Sequence, residues 1–229
     1  MGHTGHTGTA RAHEVQIPAG GATLEGELNV PAEAAGVVLF AHGSGSSRHS
    51  PRNQFVARTI REAGVGTLLF DLLTREEEAV ELQTRHLRFD IGLLARRLAD
   101  ASLWVGREGD TRHLRVGYFG SSTGGGAALV AAAQLGAEVG AVVSRGGRPD
   151  LAGSETLGRV KSPTLLIVGG DDTPVIKLNE EAYAWLRCEK ELKIVPGASH
   201  LFEEPGKLEE VARLAAGWFK THLQPRAAT

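Results

Sequence analysis

A three-layer α/β architecture, a mostly parallel sheet with helices on both faces, is the fold that this chain of 229 residues predicts. Three observations carry the prediction. Continuous apolar runs of strand length recur along the chain, as strands buried on both faces require. Stretches of helical periodicity alternate with them, the pattern of βα units. A hairpin of two half-exposed strands comes before the alternation.

The elements follow in order. HEVQIP (13–18) and TLEGELNVP (23–31) alternate apolar and polar residues around an AGGA turn and read as the hairpin. GVVLFAHG (36–43) is a buried strand, NQFVARTIREAG (53–64) a helix with a Gly stop, and VGTLLFDLL (65–73) a second buried strand. DIGLLARRLADASLWVG (90–106) is a long amphipathic helix capped by Asp90. LRVGYFG (114–120) is a strand and TGGGAALVAAAQLG (123–136) a helix. VGAVVSRGG (139–147) and SPTLLIVGG (162–170) are strands, KLNEEAYAWLRC (177–188) a helix, ELKIVPG (191–197) a strand and KLEEVARLAAGWFKTHL (207–223) a closing helix. REEE (75–78) reads as a solvated loop or a helix start. Trp104, Trp185 and Trp218 fall on helices and read as packing residues. With no second composition regime, residues 13–225 form a single domain without a lid domain, and residues 1–12 a disordered tail. His3 and His6 of the GHTGHTG repeat belong to that tail rather than to a metal site.

Composition narrows the function classes. The chain is 41% hydrophobic and 23% charged, with a net charge of −2, which gives nucleic acid no basic footprint. Its nineteen arginines against six lysines are interleaved with acids. One cysteine, Cys188, rules out an intrachain disulfide and points to a reducing, cytoplasmic location. Neither a signal-peptide core nor an apolar run of spanning length is read, so no membrane partner is expected. The remaining histidines, His49, His86, His113 and His222, have no metal-ligand spacing.

In doubly wound sheets ligands bind at the carboxyl ends of strands. Directly after the 114–119 strand stands Gly120-Ser121-Ser122-Thr123-Gly124, a G-x-S-x-G turn between strand and helix. The small residues at 120 and 124 let strand and helix approach, and Ser122 is held up at the tip. A serine hydroxyl needs a base to become a nucleophile, and the base needs an orienting acid. After the 164–168 strand come Asp171 and Asp172; after the 191–195 strand comes His200. Asp172 is preferred because it is the fourth residue of a G-x-x-D loop beginning at Gly169. The set is then Ser122, Asp172, His200. An oxyanion hole is expected from the backbone N–H groups of Thr123 and Ser44. His42, just before that loop, reads as a buried structural histidine. Arg48, Arg52, Arg145 and Arg148 follow strands at the same edge. Arg48, Arg145 and Arg148 are candidates for binding a substrate carboxylate, against ion pairing with Glu76 to Glu78.

VVLFAHGSGSSRHS, GYFGSSTGGG, LLIVGGDDTPV and PGASHLFEEPG together resemble the α/β-hydrolase superfamily, and within it the dienelactone-hydrolase-like branch, over nearly the whole chain. The resemblance implies an eight-stranded sheet with its second strand antiparallel. It also implies a small-molecule esterase or lactonase that needs no cofactor. Dienelactone hydrolase proper has a cysteine nucleophile where this chain has Ser122, so the expectation is ester hydrolysis rather than dienelactone in particular. Some relatives are fused to phosphoribosyltransferase domains, and no such second domain is read here. The expected protein is a monomer or small homo-oligomer acting on a small ester or lactone. Acyl transfer or perhydrolysis with the same triad, and a non-catalytic binding protein of this fold, are the alternatives. A phosphate loop is disfavoured because no lysine follows the glycines.

Overall fold

A computed structural model describes residues 12–43 and 45–224. The hairpin is β1 (His13–Ala19) and β2 (Ala22–Asn29), followed by β3 (Gly36–Ala41), α1 (Pro51–Glu62) and β4 (Gly66–Phe70). Next come α2 (Arg75–Thr84), α3 (Ile91–Val105), β5 (Arg115–Ser121), α4 (Thr123–Leu135) and β6 (Val139–Arg145). The chain continues with α5 (Ser154–Arg159), β7 (Thr164–Gly169), α6 (Thr173–Trp185), β8 (Lys190–Val195) and α7 (Lys207–His222). The strands form one eight-stranded sheet in the order β1-β2-β4-β3-β5-β6-β7-β8. β2 is antiparallel to both its neighbours, and every other pairing is parallel.

Side-chain alternation splits the core in two. Leu39, Leu68, Tyr118 and Val142 point to one face and pack under α3 and α4 with Leu94, Leu98 and Ala128. Val38, Phe40, Phe119 and Val143 point to the other and pack under α1 and α7 with Ile60, Ala212 and Phe219. Each large side chain so buried contributes about 1.5–3 kcal/mol relative to exposure. Local signals fix the ends. Ser50 caps α1, accepting from the Asn53 N–H at 3.5 Å, with Pro51 in the first turn. The Asp90 side chain caps α3, accepting from the Leu93 N–H at 2.9 Å. Among the described residues no helix is long and apolar enough to cross a membrane.

Two helices go beyond the sequence reading. The REEE segment is the start of a full helix, α2, opened by a capping box. The Glu77 N–H donates to Thr74 Oγ1 at 3.2 Å, and the Thr74 N–H donates to Glu77 Oε2 at 2.8 Å. Only Glu81 of this helix is buried, so no apolar stripe announces it. The short α5 also escapes a periodicity reading, having a single buried residue, Leu157. Trp185, expected to pack, is 55% exposed at the end of α6, and Cys188 lies beyond that helix.

The sheet order places a topological switch between β3 and β5, whose ends Ala41 and Gly120 lie side by side. From β3 the connections run to β4 on one side, and from β5 they run to β6 on the other. The loops after β3 and β5 therefore diverge and leave a crevice, where such sheets bind ligands.

Candidate active site

Ser122 stands at that switch point with φ 52° and ψ −125°, a strained conformation for a residue with a side chain. The strain is over-determined by its surroundings. Its N–H donates to the Arg145 carbonyl at 3.4 Å, and its carbonyl accepts from the Gly125 and Arg148 N–H groups, each at 3.0 Å. Close approach explains two flanking glycines. A Cβ on Gly124 would lie 2.0 Å from the Ala41 carbonyl oxygen, and one on Gly120 would lie 2.5 Å from the Gly124 carbonyl oxygen. Any side chain there would wedge α4 away from β3 and β5. The hydroxyl-bearing residue is thus raised where the helix begins, with the positive end of α4 beneath it.

The other two members arrive from distant segments. The His200 Nδ1–H donates to Asp172 Oδ2 at 2.6 Å. Asp172 is the residue before α6, and its N–H donates to the Gly169 carbonyl at 3.1 Å. Its carboxylate is 13% exposed and the imidazole 41%. Asp171 is exposed and turns its N–H to the Ala198 carbonyl, so the loop selects Asp172. The His200 loop is pinned from both sides. Glu204 Oε2 accepts the Ser199 N–H at 3.1 Å, and Phe202 is buried in the α1/α7 core. The end of β6 joins the parts: Arg145 accepts from Ser122, and a Cβ on Gly146 would lie 3.5 Å from His200 Cε1. With Nδ1 protonated toward Asp172, Nε2 is left unprotonated and able to accept a proton.

His42 is structural in this geometry. The Leu72 N–H donates to its Nε2 at 3.1 Å and its Nδ1–H donates to the Gly43 carbonyl at 3.0 Å. The ring is therefore neutral, and it ties the loop after β3 to the loop after β4. Thr123 opens α4 beside Ser122, while Ser44, the other expected oxyanion donor, lies outside the described residues, as do His3 and His6.

Two of the three arginine candidates are engaged by acids, and the third is buried. Arg48 pairs with Asp71 and with Glu25 at 2.8 Å, and its N–H donates to Asp71 Oδ1 at 2.8 Å. These partners come from β2 and the loop after β4, not from Glu76 to Glu78. Arg148 makes a two-pronged pair with Asp150 at 2.8 and 2.7 Å. Arg145 is 8% exposed and leaves Nε and Nη1 without hydrogen bonds. Strand alternation turns it to the α1/α7 face. Burial pushes its guanidinium down to about 10, with nearby Arg52 adding like-charge repulsion, so it stays charged at neutral pH. Arg52 pairs with Glu203 at 2.9 Å. Cys188 cannot serve as nucleophile: it contacts Thr164 at the amino end of β7, the opposite edge of the sheet, and burial pushes its thiol up.

Sequence reasoning missed the cover of the crevice. Beside Thr123 is a cavity lined by His42, Gly43, Leu72, Leu73, Leu94 and, from α2, Glu78 and Glu81. α2 is anchored over it by two arginines: Arg97 donates to Glu77 Oε1 at 2.7 Å, and Arg88 pairs with Glu81. Glu81 is 2% exposed. Burial alone would raise its pKa, but hydrogen bonds from the Arg88 side chain and the Arg88 and Leu87 N–H groups hold it below the usual carboxylate range. The signal was present as T-x-x-E at Thr74–Glu77, the capping-box spacing.

Comparison with known proteins places the chain in a family. A family model described as the dienelactone hydrolase family matches residues 24–223. A crystal structure of a dienelactone hydrolase from Anabaena variabilis is 60% identical, covers 94% of this chain and 99% of that one, and superposes with a TM-score of 0.92. Est1E from Butyrivibrio proteoclasticus shares the fold at 15% identity, over 91% of this chain and 98% of that one, with a TM-score of 0.76. In two strains of Mycobacterium tuberculosis, a protein provisionally named a phosphoribosyl transferase is 58% identical over 213 residues, 93% of this chain. This chain spans about half the length, 47%, of those curated relatives. With the family model matched along nearly all its strands and helices, the chain belongs to the dienelactone hydrolase family.

Proposed function

We propose that this chain is a serine hydrolase that cleaves small carboxylic esters or lactones through an acyl-enzyme on Ser122. The observation that carries the reading is the 2.6 Å bond from His200 to Asp172, at a sheet edge where Ser122 is held on a strained turn. Ser122 Oγ attacks the acyl carbonyl as His200 Nε2 takes its proton. Asp172 keeps the imidazole in the required tautomer and stabilises the imidazolium that forms. The developing oxyanion is received by backbone N–H groups, that of Thr123 at the start of α4 and that of Ser44 after Gly43. His200 then protonates the departing alcohol, and in the second half reaction it activates water to release the acid.

Membership of the dienelactone hydrolase family supports hydrolysis, as does the 60% identity to a protein named a dienelactone hydrolase. The phosphoribosyl transferase name of the mycobacterial relatives belongs to proteins about twice as long as the matched region. In this reading that name refers to their other half. A cytoplasmic location goes with a single, half-buried cysteine.

The test is kinetic. Ser122→Ala, with an unchanged thermal melt, is expected to lower kcat/KM for p-nitrophenyl acetate by at least about 10³-fold, leaving the residual rate that binding and backbone donors supply. Retention of a substantial fraction of wild-type turnover would overturn the proposal.

A further inference from the structure

Arginines crowd the nucleophile's edge of the sheet, yet on the α2 side of the crevice the unanswered charge is negative. Arg48 lies in a network with Asp71, Glu25 and, at 4.0 Å, Glu14, and Arg75 joins it through Glu25 at 2.8 Å, so two arginines face three acids. Arg148 is answered by Asp150. Arg145 is turned to the α1/α7 face, away from α2 and α3. On the crevice side, Arg88 is neutralised by Glu81 and His42 is neutral by its hydrogen bonds.

Against these stands Glu78. It is half-buried on the inner side of α2. Its backbone N–H continues the helix to the Thr74 carbonyl at 2.8 Å, but among the described residues its carboxylate has no hydrogen bond or ion pair. The other acids on that helix differ. Glu77 is committed to Arg97 and the capping box, Glu81 to Arg88, and Glu76 is exposed and faces the side of Glu25 and Arg75. Glu78 lines two adjoining cavities. The first is a narrow slot of about 20 Å³ that reaches Thr123 over a floor of Leu72, Leu73 and Leu94. The second, about 280 Å³, opens past Ser46, Ser47 and Asp71. Among the charged side chains of the described residues only Glu78 borders both.

We infer that this crevice selects esters that carry a positive charge or none and rejects anionic ones, with Glu78 as the residue that sets the preference. The inference rests on the hydrolase reading and deepens it. A carboxylate without a partner rewards a cation and repels an anion that comes to lie beside it. A cationic group there recovers the interaction that Glu78 lacks within the protein. A substrate carboxylate held by Arg48, Arg145 and Arg148, one of the possibilities the sequence offered, does not fit this balance.

Two matched series test it. One varies the acyl chain as p-nitrophenyl esters of 4-(trimethylammonio)butanoate, 5,5-dimethylhexanoate and 4-sulfobutanoate. The other varies the alcohol as acetates of choline, 3,3-dimethylbutanol and isethionate. In at least one series wild-type kcat/KM is expected to favour the ammonium over the sulfonate by about ten-fold or more at low salt, shrinking at high salt. Glu78→Gln should bring that ratio within about three-fold, while Glu76→Gln leaves it unchanged. A preference for the sulfonate, no preference in either series, an unaltered ratio in E78Q or an equal change in E76Q overturns the inference. If no ester in either series is turned over and a fluorophosphonate fails to label Ser122, the hydrolase reading itself has failed, and the inference falls with it.

Discussion

Replacing Asp172 by Asn alters one hydrogen bond and removes one charge, and both effects can be sized. In the proposed mechanism His200 becomes an imidazolium when it takes the Ser122 proton, and its Nδ1 lies 2.6 Å from Asp172 Oδ2. The two charge centres are then about 4 Å apart, worth about 4 kcal/mol at the effective dielectric of a partly buried site. Asp172 is 13% exposed, so solvent screens the interaction only in part. That energy corresponds to a rate factor of about 10³. An asparagine amide adds a second loss: it can donate to Nδ1 and favour the tautomer that carries its proton on Nε2, where the serine proton has to go. D172N is therefore expected to lower kcat for p-nitrophenyl acetate by about 10³-fold or more with KM little changed, because the lost interaction forms in the transition state. The denaturant midpoint should move little, since the amide still fits the loop. D171N is the companion, expected within about three-fold of wild type because Asp171 is exposed and its hydrogen bond is made by its backbone. The reasoning is refuted if D172N keeps more than a tenth of wild-type kcat, or if D171N is the more damaging change.

Three further outcomes follow from the packing around the site. Gly124→Ala places a Cβ 2.0 Å from the Ala41 carbonyl oxygen, so it should cost about 3 kcal/mol or more of stability, read as a lowered denaturant midpoint, with activity falling alongside. Glu81 is held below the usual carboxylate range when folded, so its contribution is present above the unfolded carboxylate value of about 4.3 and is lost as pH falls through the folded value. Glu81→Ala, which strands Arg88 and two N–H groups, should lose about 2 kcal/mol at neutral pH and show a shallower fall in melting temperature below about pH 4 than wild type. Cys188→Ser should leave ester turnover unchanged, because the thiol sits at the amino edge of β7, and loss of activity in that variant would contradict the assignment of Ser122.

How far the sequence carried these conclusions depended on what kind of signal each residue left. Strands β3 to β7 were legible because burial on both faces writes an unbroken apolar run, and the G-x-S-x-G turn was legible because close packing at Gly120 and Gly124 admits no other residue type. Asp172 and His200 could be picked because both follow strands, and the parallel strands bring their carboxyl ends to one edge. The helix over the crevice was not legible by periodicity. Its only buried residue is an acid, Glu81, and its attachment is made by Arg88 and Arg97 rather than by leucines. The fate of the arginines was equally hidden. Arg48 meets Glu25 and Asp71 across 23 residues in either direction, a pairing that only the order β2-β4-β3 brings about. Trp185 fails for a simpler reason: it ends α6, where the chain turns toward β8 and leaves the indole in solvent.

The account's central claim is that one hydroxyl, activated by His200, carries the chemistry. The most direct measurement is intact-protein and peptide mass spectrometry after brief exposure to a fluorophosphonate. The account predicts one adduct per chain, mapped to Ser122, that is lost in Ser122→Ala and formed far more slowly in His200→Ala. Rapid labelling that persists in S122A, or that is unaffected by the loss of His200, would contradict it.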